Sequence, residues 1–223
     1  MGEKPPRLFE LTGGRLCLDF ANTVDDRPTD RPPDRLKSYA ELIAFGKETG
    51  ICSEAETRDL RGAEKSNPRE AARLFRSAVE LRETIYGIVS ALASGRSPLA
   101  KDLETLRATL HNLNEHASVV PQNGRLEWTW AGPESNASRL LWCIVRCAVN
   151  LLTSDEVELL RQCAADDCNW LFMDNSRSHN RRWCEMRTCG NRTGAYKPPR
   201  NSTGTLASSY FIIASDRGII RRK

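Results

Sequence analysis

Between residues 38 and 152 apolar positions recur mostly at intervals of three and four, the spacing that lines one face of an α-helix. The pattern predicts a helix from about Ser38 to Lys47, closed near Gly50. Ser53, followed by Glu56, has capping-box spacing and opens a second. Asn67, Pro68 and Glu70 start a long third helix, on which Leu74, Ala78, Leu81, Ile85 and Ile88 share a face. Ser97-Pro98 repeats the start signal for a fourth, with Leu99, Leu103, Leu106, Leu110 and Leu113 aligned. After Pro133 a fifth runs to about Leu152, apolar enough at Leu140, Leu141, Ile144 and Val145 to be largely buried.

The helical period breaks in four places. Near the start, an apolar piece, a Gly13-Gly14 turn and the run Leu16 to Phe20 predict a small hairpin or a strand entering a helix, with a loop from Arg27 to Arg35. Val119 to Pro121 and Leu126 to Trp130 alternate around Asn123-Gly124, the strongest short hairpin signal in the chain. Asn169 to Met173 resembles a short strand, and Ser209 to Ile220 could form another in the tail. The expected fold class is α+β: a mainly helical N-terminal domain with small β-hairpins, followed by a small C-terminal module. The expected boundaries are 1–153, 154–200 and a tail at 201–223.

Composition adds little until it is resolved along the chain. Hydrophobic residues at 39% and charged residues at 28% are ordinary for a globular protein. No run approaches eighteen apolar residues and the N-terminus has no export pattern, so a soluble, cytoplasmic protein without membrane contact is expected, with thiols kept reduced. The formal charge of +4 is modest, but its location is not even. Residues 1–153 carry 21 Lys+Arg and 21 Asp+Glu, whereas residues 154–223 carry 12 and 8; within 175–200 the count is seven to one.

That basic stretch overlaps the main chemical feature. Cys163 and Cys168 enclose four residues, fifteen follow, and Cys184 and Cys189 again enclose four. Two short pairs separated by such a spacer suit a closed, four-thiolate structural zinc site, because each pair supplies neighbouring ligands and the spacer brings the pairs together. A three-cysteine site completed by His179 is the competing ligand set. Residues five apart in an α-helix point about 140° away from each other, so Cys184 and Cys189 cannot share one helix. A helix from about Ser176 through Trp183, ending between them with Gly190 absorbing the turn, is expected instead. Trp170, Phe172 and Trp183 read as the module's core. Cys143 and Cys147 share an apolar helix face and read as buried thiols, and Cys17 and Cys52 as packing residues.

Arg177, Arg181, Arg182, Arg187 and Arg192 crowd the second half of the module, followed by Lys197 and Arg200. Guanidinium groups pair with phosphate, and a metal-clamped helix with Arg177 and Arg181 at i, i+4 would present them to DNA. A solvated basic face, or one that docks an acidic protein, is the alternative. In the N-terminal domain, Asp19, Asn22 and Thr23 follow an apolar run and form a candidate pocket for a small-molecule effector, although Asp19 and Thr23 also suit helix capping. His111 and His116 read as surface residues. No nucleophile with its base, and no phosphate loop, emerges, so an enzyme is not expected.

The run WCEMRTCGNR from Trp183 to Arg192, with the upstream cysteine pair and WLFMDNSR, resembles the CGNR zinc finger, its motif falling on Cys189, Gly190, Asn191 and Arg192. GGRLCLDFANTV, Gly13 to Val24, resembles the start of the ABATE domain, which precedes this finger in a family of stress-induced transcriptional regulators. The resemblance implies a cytoplasmic bacterial regulator, with the four cysteines as zinc ligands and Arg182, Trp183 and Arg192 at the finger's basic and aromatic positions. It also implies a module that binds DNA and an N-terminal α+β domain whose role it does not assign; the function expected for the chain is a DNA-binding regulator whose N-terminal domain senses a ligand or forms a homodimer. After Arg192 the chain departs from the family's basic helical continuation, since Thr193-Gly194 and Pro198-Pro199 interrupt it. The alternative function is a protein-interaction adaptor with a purely structural zinc module.

Overall fold

A computed structural model describes residues 7–130 and 136–193 of the chain. Among these residues six α-helices come first: α1 (Leu16–Ala21), α2 (Tyr39–Glu48), α3 (Glu54–Ser66), α4 (Pro68–Ala93), α5 (Ala100–Asn114) and, after a hairpin of β1 (Ala117–Gln122) and β2 (Arg125–Trp130), α6 (Asn136–Leu152). A second hairpin, β3 (Leu160–Gln162) and β4 (Leu171–Met173), leads into the cysteine-rich end. The helical period therefore reads correctly from about residue 38 to 152. Among the described residues no helix is long and apolar enough to cross a membrane.

Local chemistry sets the boundaries. Ser38 Oγ accepts the Ala40 N–H at the start of α2, and the Ser53–Glu56 capping box is complete, with both reciprocal bonds made. Asn67 caps α4 by accepting the Glu70 N–H, with Pro68 in the first turn, where a missing N–H costs nothing. The start signal at Ser97-Pro98 is displaced: α5 begins at Ala100 after Leu99, without a side-chain cap. Asn123 and Gly124 both take positive φ, 51° and 74°, as a two-residue primed turn requires, and this fixes the register that sets Val119 opposite Trp128.

One element differs in kind. Leu16 to Phe20 is not a strand but most of α1, with Cys17, Leu18, Phe20 and Ala21 buried. A continuous apolar run does not separate a buried strand from a buried helix, and here the Leu18 and Asp19 N–H groups both bond back to the Arg15 carbonyl. The expected tail strand at Ser209 to Ile220 lies outside the described residues.

The long α4 is the spine, packed by α1, α2, α3, α5 and α6. Arg82, 3% exposed, reaches from it to hold both oxygens of Asp34 at 2.8 Å and bonds Thr23 Oγ1 at 3.3 Å, which ties the loop over residues 27–35 to the core. Close approach occurs where α2 meets α6: a Cβ added at Gly46 would stand 2.9 Å from Cys52 Sγ and 3.1 Å from Leu140 Cδ2. Gly46→Ala is therefore expected to destabilise by about 1–3 kcal/mol through overpacking despite its better helix propensity, measurable as a lower urea midpoint.

The second hairpin joins the two parts of the chain. By strand alternation Leu171 and Met173 face one way and Phe172 the other. Leu160, Leu171 and Met173 enter the helical core, while Phe172 and Trp170 join the cysteines in a separate small cluster. One short hairpin thus belongs to two cores.

Candidate metal centre

Cys163 follows β3 directly and its N–H donates to the Trp170 carbonyl at 2.7 Å, extending the hairpin ladder to the first ligand position. A turn then brings Cys168 back, its N–H donating to Ala165 at 3.0 Å. The second pair is set by different means. No helix forms over 176–183, which corrects that expectation and with it the placement of Arg177 and Arg181 on one helix face. Asp174, fully buried, organises the segment instead. Its Oδ1 accepts from Ser176 N–H and Oγ–H at 3.0 and 2.5 Å, and its Oδ2 accepts the Arg181 N–H at 2.8 Å. These local bonds compete with helix formation. Burial works to raise the Asp174 pKa, but the bonds from Ser176 and Arg181 outweigh it and hold the carboxyl below its ordinary value.

The five-residue step from Cys184 to Cys189 is spanned by a π-type turn, Met186–Gly190, closed by the Gly190 N–H on the Glu185 carbonyl at 3.1 Å. An i to i−5 closure fits this spacing where an α turn does not. Gly190 does not absorb the turn with a positive φ, as expected from sequence. Its role is close packing, since a Cβ there would stand 3.2 Å from Met186 Sδ.

All four cysteines are buried and their sulfurs lie within 4.8 Å of one another. Cys184 Sγ is 3.7 Å from Cys168 Sγ and 3.6 Å from Cys189 Sγ. A tetrahedron with metal–sulfur bonds of about 2.3 Å has edges of about 3.8 Å, so the donor set fits one zinc ion in a closed shell. Its electrostatics agree. Thiol hydrogen bonds from Cys168 and Cys184 push the Cys163 pKa well down, and donating those bonds to Cys163 pushes the pKa values of Cys168 and Cys184 up; a dication removes the conflict. His179 lies outside the cluster, exposed, with Nδ1 at 3.1 Å from the Asp174 carbonyl oxygen, so the three-cysteine alternative falls. The module's core is as expected: Trp170 and Phe172 are buried with the cysteines, and Trp183 packs against them.

The CGNR motif acquires a physical reading. Cys189 is a ligand, Gly190 admits Met186, Asn191 Nδ2 closes the turn on the Arg187 carbonyl at 2.6 Å, and Arg192 reaches the site twice. Its Nη2 donates to Cys189 Sγ at 3.2 Å and its Nη1 meets Asp167 Oδ2 at 3.1 Å, linking the two cysteine pairs around the metal. Arg181 is turned inward: its guanidinium donates to the Trp183 and Cys184 carbonyls and lies over the Phe172 ring at 4.6 Å. Arg177, Arg182 and Arg187 are exposed, and among the described residues none has a carboxylate partner; Arg182 stacks on Trp183 at 5.2 Å. Asp167 and Asp174 were missed in the sequence. The Asp174-Asn175-Ser176 run carries the signal of an Asx turn, whereas nothing local marks Asp167.

The candidate pocket residues are buried as well. Asp19 Oδ1 accepts the Gly13 N–H at 2.8 Å, and burial pushes its pKa up to about 7. Thr23 Oγ–H donates to the Phe20 carbonyl at 2.9 Å. Asn22 joins the two parts of the chain: Nδ2 donates to the Leu171 carbonyl and Oδ1 accepts the Leu171 N–H, both at 2.8 Å. Trp170 Nε1–H donates to the Val24 carbonyl at 3.0 Å and the Met173 N–H to Gly13 at 3.0 Å, so the metal module is bonded along the α1 segment.

Residues 14–155 match the family model named ABATE, described as "Putative stress-induced transcription regulator". Residues 160–197 match the CGNR zinc finger. A comparison with curated proteins gives no match. The first match spans more than half of the chain, and the second encloses all four clustered cysteines. With the geometry of the metal centre these findings place the chain in the ABATE family, with a CGNR zinc finger that holds one structural zinc at its C-terminal end.

Proposed function

We propose that the chain is a DNA-binding transcriptional regulator whose zinc module presents arginines to the phosphate backbone. The observation that carries the reading is the set of exposed guanidinium groups on Arg177, Arg182 and Arg187, unneutralised among the described residues, on a segment held by two metal ligands. Guanidinium forks on a rigid frame suit phosphate, and the one-sided basic excess of residues 175–200 supplies the long-range field. Arg181 and Arg192, also candidates from sequence, take supporting parts: one braces the backbone of Trp183 and Cys184, the other steadies Cys189. The regulator description of the family is consistent with this division of labour.

The reading is tested by titrating the zinc-loaded protein with duplex DNA at several salt concentrations. Affinity should fall steeply as salt rises. Replacing Arg177, Arg182 and Arg187 together by Ala should flatten the slope of log K against log salt by about 2–3, close to 0.9 per lost phosphate contact, with zinc content unchanged. A triple variant with wild-type affinity and slope would sink this assignment. Absence of DNA binding by the loaded wild-type chain would favour the adaptor reading.

A further inference from the structure

Far along the chain from the metal centre, the hairpin β1–β2 meets α6 through aromatic rings. Trp142 is buried on α6, with Trp128 at 5.6 Å and Trp130 at 5.8 Å between ring centroids, and His116 lies 5.5 Å from Trp130. Arg146, one helical turn beyond Trp142, places its guanidinium 4.8 Å from the Trp142 ring and 5.2 Å from the Trp128 ring. The Trp142 ring N–H donates to Asn114 Oδ1 at 3.0 Å, as a buried indole normally does.

Two donors in this cluster break that rule. Trp130 is only 7% exposed, yet its Nε1–H has no partner among the described residues, and Arg146 Nη1 is buried and equally unmet among them. A buried donor without an acceptor costs enough that each instance calls for an explanation. The other unmet atoms on ionic side chains belong to groups already paired: Arg27 with Glu83, Arg139 with Glu56 and Asp25 with Arg35. Arg146 has no carboxylate partner among the described residues, only rings. A cation and a dry indole N–H around one tryptophan want an acceptor that carries negative charge. Trp128 is 40% exposed, which puts part of the cluster at the surface.

We infer that the Trp128–Trp130–Trp142–Arg146 cluster is a binding site for a small organic carboxylate with a flat apolar body. The carboxylate accepts from Arg146 and from Trp130 Nε1–H, and the body stacks on Trp128. This site lies apart from Asp19, Asn22 and Thr23, whose polar atoms bond within the fold, and it depends on neither the metal nor DNA binding.

The test uses the full-length, zinc-loaded chain labelled with nitrogen-15, whose five tryptophans each give an indole N–H resonance. Titration with benzoate should shift the Trp130 resonance saturably, while benzamide, of the same shape without charge, should not. Arg146→Gln should weaken benzoate at least about tenfold while the Trp170 and Trp183 resonances stay in place, reporting an intact fold. Trp130→Phe should weaken it too, read from the Trp128 resonance. Equal shifts with benzoate and benzamide, no saturable shift at Trp130, or unchanged affinity in Arg146→Gln would each overturn the proposal. Glu134 falls between β2 and α6 in sequence; binding that appears only in Glu134→Ala would assign the acceptor to the chain itself and would also overturn it.

Discussion

Cys184→Ser is expected to take zinc from one per chain to none and to lower the melting temperature of the whole chain, including its helical part. Cys184 is the most central ligand position, with Cys168 and Cys189 sulfurs at 3.7 and 3.6 Å. A hydroxyl there gives up a soft ligand and leaves three thiols competing for charge. Among the described residues the small cluster around the metal holds only Cys163, Ala165, Cys168, Trp170, Phe172, Cys184 and Cys189 as buried members. That is too little apolar surface to order the segment unaided. Structural zinc contributes about 10–16 kcal/mol of apparent binding energy in isolated finger peptides. Here β3–β4 stays anchored through Leu160, Leu171 and Met173, so part of the segment's order survives. A net loss of about 5 kcal/mol, seen as about 10–20 °C in melting temperature, follows for a chain of this size. Metal analysis and calorimetry on the purified variant check it. Retained zinc would remove Cys184 from the ligand set. Zinc lost with the helical transition unmoved would show that the second hairpin does not couple the two cores.

The sequence carried most of this architecture because local rules and tertiary packing agree over residues 38 to 152, where caps, periodicity and the Asn123-Gly124 turn all point the same way. The metal centre was legible for a similar reason: paired cysteines are a local pattern with one geometric use. Legibility failed where a partner distant in sequence decides. Leu160 to Gln162 carries no strand signal of its own and becomes one by pairing with Leu171 to Met173. Ser176 to Trp183 has a tolerable helical composition, but the buried carboxylate of Asp174 takes its N–H groups. The five arginines looked equivalent in sequence, yet Arg181 turns inward onto backbone carbonyls, and Arg192, though half exposed, is engaged by the Cys189 sulfur and Asp167. Charge counting locates a basic surface without saying which cations remain available to a partner.

Asn22→Ala is expected to destabilise the chain by about 3–5 kcal/mol, although Asn22 touches neither the metal nor the module's small core. The side chain is 2% exposed and meets both backbone groups of Leu171, donating to its carbonyl and accepting its N–H at 2.8 Å each. In effect one amide acts as a strand neighbour for β4. Truncation leaves a buried N–H and a buried carbonyl unmet, each costing about 1–3 kcal/mol, in a place that water reaches only if the hairpin parts from α1. Asn22→Asp is the informative companion. It keeps an acceptor for the Leu171 N–H but sets an oxygen against the Leu171 carbonyl, so it should be no better than Ala near neutral pH. Because Trp170 and Phe172, on either side of Leu171, pack against the cysteines, loosening β4 should also speed zinc transfer to a chelator, with the four ligands unchanged. Denaturant unfolding gives the first quantity and absorbance of a colorimetric chelator the second. Loss of stability with zinc release at the wild-type rate would confine the effect of Asn22 to the helical core, whereas movement of both would make this amide the link through which the ABATE domain supports the zinc finger.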